Sequence, residues 1–109
     1  MAINVLGGFF GFHIHEGTSC LGNLDDEFAN SKMHYNPNNC PHPFHSGDLP
    51  VLIENNGFAY MSVLINKFKV KDTIGKVIII HEMQMILQVN QVGNSGKKIA
   101  CGKTVFLSR

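Results

Sequence analysis

The 109-residue sequence predicts an all-β domain whose long polar loops carry its chemistry. Runs rich in β-branched and aromatic residues recur along the chain, whereas no long segment repeats apolar residues at helical spacing with capping residues. Gly, Asn, Pro and Ser are concentrated between those runs. The length fits one domain, residues 1–109.

Composition and charge exclude several classes of function. The formal net charge is +1, so we expect no nucleic-acid partner. Apolar residues make up 44% and charged residues 16%, the balance of a globular chain. The longest apolar runs, Val77–Ile80 and Met83–Leu87, are too short to span a bilayer. Met1–Phe12 has neither a basic region nor a small-residue cleavage site, so we expect a soluble chain without a signal peptide.

Five segments have the composition of β-strands. Phe9–His15 is rich in aromatic residues and is flanked by glycines. Leu52–Glu54 and Phe58–Ile65 are separated by an Asn-Asn-Gly sequence, and Asn-Gly supplies the positive-φ positions of a tight hairpin. The β-branched residues of Gly75–His81 suit a buried strand, and Ile99–Leu107 is the last of the five.

Two long connections lie between the predicted strands. Gly17–Ser46 is rich in Gly, Asn, Pro and Ser and contains several histidines, and Leu24–Ala29 within it could form a helical turn. Glu82–Lys98 ends in Gly93–Gly96, a tract typical of turns. Loops of this kind commonly carry the functional groups of a β domain.

Histidines are the most informative residues for function, and the chain has six of them: His13, His15, His34, His42, His45 and His81. Alternate residues of a strand point to the same face, so His13 and His15 present two imidazoles side by side. His81 ends another predicted strand and can supply a third imidazole. An isolated His-x-His pair is often incidental, but four further histidines in so short a chain favour a copper or zinc site.

A second group of possible ligands lies in Pro41–Asp48 and consists of His42, His45 and Asp48. Two imidazoles and a carboxylate in a Pro/Gly-rich loop suit a tetrahedral zinc site that needs one more ligand. His34 lies between the two groups in sequence, and it could complete either one, or both if its ring bridged two metals. Considered alone, His34 could equally be an ordinary surface histidine.

The three cysteines, Cys20, Cys40 and Cys101, leave the disulfide pattern open. An odd number leaves at least one thiol unpaired if a disulfide forms. Their spacing does not indicate which two would pair, and cysteines of a small cytosolic domain commonly stay reduced.

Together, five segments resemble the copper,zinc superoxide dismutase family. Gly11–Glu16 resembles its copper-binding strand, His34–Pro37 its bridging-histidine segment, and His45–Pro50 the end of its zinc loop. Ile78–Glu82 resembles the strand with the last copper histidine, and Gly93–Gly102 resembles the C-terminal signature. These segments occur in the family's order, from about Gly8 to the end of the chain.

The resemblance implies a complete set of metal ligands. The copper ligands would be His13, His15, His34 and His81. The zinc ligands would be His34, His42, His45 and Asp48, with His34 bridging the two metals. The connection between His42 and His45 is short, as in Gram-positive bacterial members of the family.

The activity that the resemblance implies is dismutation of superoxide to dioxygen and hydrogen peroxide at this copper–zinc centre. His34 would donate a proton as well as bridge the metals. Lys98 occupies the place of an arginine that draws the anion towards copper in the family, and lysine keeps the charge but loses the planar fork. Lys98 could also be an ordinary surface lysine.

The resemblance also implies a disulfide between Cys20 and Cys101, which leaves Cys40 as a free thiol. The family includes monomers and dimers, so a homodimer is one expected assembly. Bacterial members are generally exported or anchored at the membrane, which implies a location in the periplasm or cell envelope.

Besides Lys98, two further departures from the family are visible. Its Greek-key barrel has eight strands, and the first three have no counterpart here, so we expect exposed apolar faces and an opposing sheet represented only by Phe58–Ile65.

Met83–Gln91 replaces a polar loop whose aspartate links a copper ligand to a zinc ligand. One back-translation of this segment, read two bases later, gives Ala-Asp-Asp-Phe-Thr-Ser-Gln-Pro, which resembles that loop. Our hypothesis is a local frameshift, which resequencing of the gene would test.

Two alternatives to a dismutase stay open. A truncated remnant of the family could bind zinc and copper without turnover, and a storage or copper-transfer module would use the same histidines without redox cycling. The intact ligand set favours the enzyme. The missing strands and the missing aspartate favour the remnant.

Overall fold

The computed structural model describes residues 8–41, 44–82 and 97–106 of the chain. These residues form one antiparallel sheet of five strands, which are β1 (Gly8–His15), β2 (Asp48–Asn55), β3 (Phe58–Ala59), β4 (Val77–Glu82) and β5 (Lys98–Lys103). In these parts of the chain the helical elements are a 3-10 turn, Ala29–Ser31, and α1, Val70–Thr73. None of the helices described is long and apolar enough to cross a membrane.

The strand order across the sheet is β3-β2-β1-β4-β5. The first three strands lie side by side, and the chain then returns past β2 so that β4 pairs with β1. A fourth strand beside the first is the Greek-key arrangement. The predicted all-β class and Greek-key topology are therefore confirmed.

The predicted hairpin is present, but its second strand is shorter than expected. Asn56 and Gly57 have φ values of 56° and 81°, as a two-residue hairpin turn requires. The predicted strand Phe58–Ile65 ends at Ala59, because pairing with β2 stops at the Ala59–Glu54 register position. β3 extends the same sheet as β2, so in the described residues it does not form an opposing layer.

The other strand boundaries differ from prediction by a few residues. The segment predicted at Gly75–His81 forms a strand only from Val77, and the one predicted at Ile99–Leu107 leaves the sheet after Lys103. Both limits have one cause, since Val77 and Lys103 are the last pair of the β4–β5 ladder. The predicted helical turn Leu24–Ala29 is replaced by bends and turns that lead into the 3-10 turn. Met83–Gln91 lies outside the described residues.

The sheet has one apolar face. Directly opposed residues of antiparallel strands share a face, and Phe10 is opposed to Leu52 while Phe12 is opposed to Ile80. Phe10, Leu52 and Ile80 are buried and form the centre of the core. Other large apolar side chains of the described residues stay in solvent, and Leu64, in the connection between β3 and β4, is 97% exposed.

The opposite face carries histidines. Gly11 is opposed to His81, and His13 is opposed to Ile79. Val77 and Ile79 are opposed to His15 and His13, so they lie on this same face, where they are fully buried. The alternation of the two strands therefore places the core of Phe10, Leu52 and Ile80 on one side of the sheet and the histidines on the other.

A disulfide joins Cys20 to Cys101, with a sequence separation of 81. The bond ties the long connection after β1 to β5 and confirms the pairing that the family resemblance implies. Cys40 is a free, partly buried thiol.

Candidate metal centre

The long connection between β1 and β2 returns to the end of β1. Two backbone hydrogen bonds, of 2.7 and 2.8 Å, tie residues 33–35 to residues 14–16. His34 is paired with His15 across this short ladder. The ring of His34 consequently stacks on that of His13, with a centroid distance of 4.0 Å.

Gly47 brings a second segment to the same place. Its N–H donates to Tyr35 O at 2.8 Å, and its carbonyl accepts from Ile14 N at 2.9 Å. A Cβ atom at Gly47 would overlap the Ile14 carbonyl oxygen, so only glycine permits this approach. The turn that carries His45 and Asp48 is thereby held against β1.

Four imidazoles converge in what we term the four-histidine cluster, formed by His13, His15, His34 and His81. One ring nitrogen from each lies within 4.8 Å of the others. The Nε2 atoms of His15 and His81 are 3.1 Å apart. His15 Nδ1 is 2.8 Å from Lys32 O, and a proton on Nδ1 would leave the Nε2 lone pair directed into the cluster.

Burial keeps the imidazoles of His13 and His15 neutral. His13, His15 and His81 are 7%, 1% and 4% exposed. Burial, followed by the neighbouring imidazoles, lowers the pKa of His13 to about 2. Burial also lowers the pKa of His15 to about 3, although the Lys32 carbonyl opposes that shift. Neutral imidazole is the form that binds metal ions.

One nitrogen of the cluster lacks a partner. His13 Nδ1 is buried and has no hydrogen-bond partner among the described residues. Buried polar atoms without partners are rare and costly. A metal ion bound by the four imidazoles would satisfy this atom, so the donor set fits a copper or zinc ion.

The pKa shifts predict acid destabilisation of the metal-free protein. The unfolded chain binds protons at His13 and His15 near pH 6.5, whereas the folded chain does so only near their lowered pKa values of about 2 and 3. Stability is therefore present above pH 6.5 and is lost as the pH falls below it. Each imidazole contributes a slope of up to about 1.4 kcal/mol per pH unit. Urea unfolding at several pH values measures this slope, and an equal stability at neutral pH and at mildly acidic pH would contradict it.

A second group, which we term the mixed cluster, consists of His34, His45 and Asp48. Asp48 Oδ1 is 2.9 Å from His34 Nδ1, and Asp48 Oδ2 is 3.3 Å from His45 Nδ1. Asp48 Oδ2 also accepts a hydrogen bond from His45 N at 3.1 Å. Burial tends to raise the pKa of Asp48, but the hydrogen bond from His34 and the neighbouring imidazoles bring this pKa below its usual value. Imidazole with carboxylate is a set that zinc accepts.

His34 belongs to both clusters. Its Nδ1 faces the mixed cluster, while its ring stacks on His13 of the four-histidine cluster. His42, predicted to bind zinc together with His45 and Asp48, lies outside the described residues.

Lys67 contacts the mixed cluster and was not predicted from the sequence. Its Nζ donates to Asp48 O at 2.7 Å and lies 3.4 Å from His45 O. Both carbonyls belong to the turn that presents the cluster. Lys67 lies in the connection between β3 and β4, and no motif in that connection marks it as a site residue.

Replacing Lys67 with methionine is expected to loosen this turn. The charge-assisted hydrogen bond to Asp48 O is worth about 1 kcal/mol at a partly exposed position. We expect the zinc-loaded Lys67→Met protein to lose about that much stability against urea, and to yield zinc to a chelator more readily. Lys71→Met is the matched control, because Lys71 is an exposed lysine of α1. Equal losses of stability in the two variants would show that the loss comes from removing a positive charge and not from removing the contact with Asp48 O.

Lys98 lies beside the four-histidine cluster, opposite His81 in the β4–β5 register. Its Nζ donates to Asp26 Oδ2 at 3.0 Å and is 3.3 Å from Phe28 O. The lysine expected to draw the anion towards copper is therefore engaged in an ion pair.

Comparisons with known proteins point in one direction. Residues 3–104 match the family model for copper/zinc superoxide dismutase (SODC). A Cu-Zn superoxide dismutase of Photobacterium leiognathi is 32% identical over 87% of this chain and 63% of that protein. A copper chaperone for superoxide dismutase from Rattus norvegicus is 32% identical over 87% of this chain and 38% of that protein.

Structural comparison agrees with the sequence comparison. A solved Cu/Zn superoxide dismutase from Brucella abortus matches with a TM-score of 0.77 and 27% identity, covering 93% of this chain and 75% of that chain. The chain spans 63% of the length of the Photobacterium leiognathi dismutase and 38% of the length of the Rattus norvegicus chaperone.

Proposed function

Because this chain belongs to the copper/zinc superoxide dismutase family, we propose that it dismutates superoxide at a copper–zinc centre. The observation that carries the proposal is the shared position of His34, which belongs to both ligand clusters. A single imidazole offers one nitrogen to each of two metals, so this ring can couple them.

The two clusters would divide the metals by their chemistry. The four-histidine cluster is an all-imidazole set, which suits copper. The mixed cluster adds a carboxylate, which suits zinc, and His42 would supply its fourth ligand. Bound copper supplies a one-electron couple, and bound zinc a fixed positive charge.

The protein's own residues would handle the proton and the anion. His34 Nδ1 is directed at Asp48, which leaves Nε2 as the ring atom able to hold and deliver a proton to reduced substrate. The Lys32 carbonyl, 2.8 Å from His15 Nδ1, orients that ring towards the cluster. Lys98 would attract the superoxide anion, and its Nζ donates a hydrogen bond to the Asp26 carboxylate.

Metal loading combined with an activity assay tests the proposal. We expect one copper and one zinc per chain. Dismutation should persist in the presence of a copper chelator that is too large to enter the site and therefore removes only free copper. Protein loaded with zinc alone is the matched control and should be inactive. Copper bound one-to-one without dismutation would refute the enzymatic function.

A copper-binding role without turnover is the second candidate. The match to a copper chaperone for superoxide dismutase favours it, as does the ion pair that occupies Lys98. A copper-transfer protein would bind copper through the same imidazoles and release it to an acceptor. Transfer of bound copper to a metal-free dismutase, without dismutation by the donor, would support this role.

A further inference from the structure

We propose that Asp26 restrains Lys98 and thereby limits the affinity of the metal centre for small anions. This inference deepens the proposed function and rests on it. Asp26 would be a positioning residue, since it acts through Lys98.

The contacts of Lys98 show how fully its charge is engaged. The Nζ atom bonds to the Asp26 carboxylate at 3.0 Å and to the Phe28 carbonyl at 3.3 Å. The side chain of Lys98 is only 17% exposed, whereas that of Asp26 is 39% exposed. The ammonium is therefore shielded by a carboxylate that is itself open to solvent.

Asp26 is held in place by its own turn. Its Oδ1 accepts a hydrogen bond from Phe28 N at 2.9 Å, which leaves Oδ2 for Lys98. Asn23 Oδ1 in turn accepts from Asp26 N at 2.9 Å. The hydrogen bond from Phe28 and then that from Lys98 lower the pKa of Asp26, so the carboxylate is charged at neutral pH. The turn, and not chance contact, presents the carboxylate to Lys98.

The surroundings add further negative charge. A cavity of about 390 Å³ is lined by Leu24, Asp25, Asp26, Glu27, Lys97 and Lys98. Three acidic and two basic side chains give its lining a formal charge of −1. Lys98 lies next to His81 in the sheet. An anion that approaches the four-histidine cluster on this side therefore meets an ammonium group paired with a carboxylate, surrounded by further acidic side chains. The charge that surrounds a site determines how often an anion reaches that site.

Asp26→Asn is the informative variant. An asparagine has the same shape, and its Oδ1 can still accept the hydrogen bond from Phe28 N, so the turn is retained. Azide serves as the probe anion, titrated into copper- and zinc-loaded protein and followed by the copper visible absorption band. We expect azide to bind about three- to tenfold more tightly than in the parent, with a steeper dependence on ionic strength.

Two comparisons separate release of Lys98 from a general change in charge. Asp25→Asn removes the same charge from the same cavity, but Asp25 forms no ion pair in the described part of the chain, so its effect should be smaller. In a Lys98→Gln background, Asp26→Asn should increase azide affinity no more than Asp25→Asn does. An equal increase in azide affinity in the two aspartate variants, or the full increase in a protein without Lys98, would overturn the inference.

A second readout does not depend on bound metal. Trinitrobenzenesulfonate is an anionic reagent that modifies free amines, and peptide mass mapping reports its reaction with each lysine. Modification of Lys98, measured relative to Lys71, should be faster in Asp26→Asn than in the parent. An unchanged ratio would overturn the inference even if the protein dismutates superoxide. A higher ratio in a protein that lacks dismutation would uphold the restraint while the proposed function failed.

Discussion

Replacing His34 with alanine is expected to reduce superoxide dismutation by more than about 100-fold and to weaken binding of both metals. Loss of an outer contact to a metal ligand already costs roughly 10–100-fold in affinity or activity, and His34 would be a ligand to both metals. The variant removes the ring that stacks on His13 and also the partner of Asp48 Oδ1. Metal content by mass spectrometry, measured before and after dialysis against a chelator, gives the affinity change.

Met33→Ala is the matched control for that experiment. Met33 adjoins His34 in the same segment, but its side chain is 72% exposed and belongs to neither cluster. We expect the control to retain both metals. If His34→Ala kept the copper and zinc occupancy of the parent, the bridging assignment would be wrong.

Removing the disulfide is expected to cause the largest loss of stability. A bond between residues separated by 81 positions strongly restricts the unfolded chain, and loss of a native disulfide in a small domain commonly costs about 2–5 kcal/mol. The buried apolar core of the described residues is small, with Phe10, Leu52 and Ile80 at its centre, so the disulfide carries much of the stability of this part of the chain. Urea unfolding of the zinc-loaded Cys20→Ser protein measures the loss.

Cys40→Ser is the control, because Cys40 is the free cysteine of the structure. Its unfolding midpoint should match that of the parent, and a thiol reductant should lower both midpoints equally. The same reductant should leave Cys20→Ser unchanged. A Cys20→Ser protein as stable as Cys40→Ser would show that the disulfide does not stabilise the folded chain.

Features set by neighbouring residues were predictable from the sequence. The Asn56-Gly57 turn follows from the positive φ values that those residues tolerate. His13 and His15 share a face because strands have a period of two residues. The Greek-key topology followed from family resemblance, not from periodicity, since short apolar runs alone do not specify which strands pair.

Features set by distant residues were not predictable. Asp26 and Lys98 are 72 positions apart, and Lys67 is 19 positions from Asp48. Neither pair has a local signature, because each contact depends on how the connections pack against the sheet. β3 was predicted too long for a similar reason, since the composition of Phe58–Ile65 suits a strand but its pairing stops at Ala59.

The short ladder between residues 33–35 and 14–16 bears on how the centre would be assembled. Backbone bonds from this ladder, together with those of Gly47, already immobilise the segments that present His34 and Asp48. The conformational entropy of these two segments is therefore lost when the chain folds, not when an ion arrives. The apo-protein would offer His34 and Asp48 in a preorganised arrangement, and the rate of metallation would depend mainly on ion dehydration, with little contribution from rearrangement of these segments.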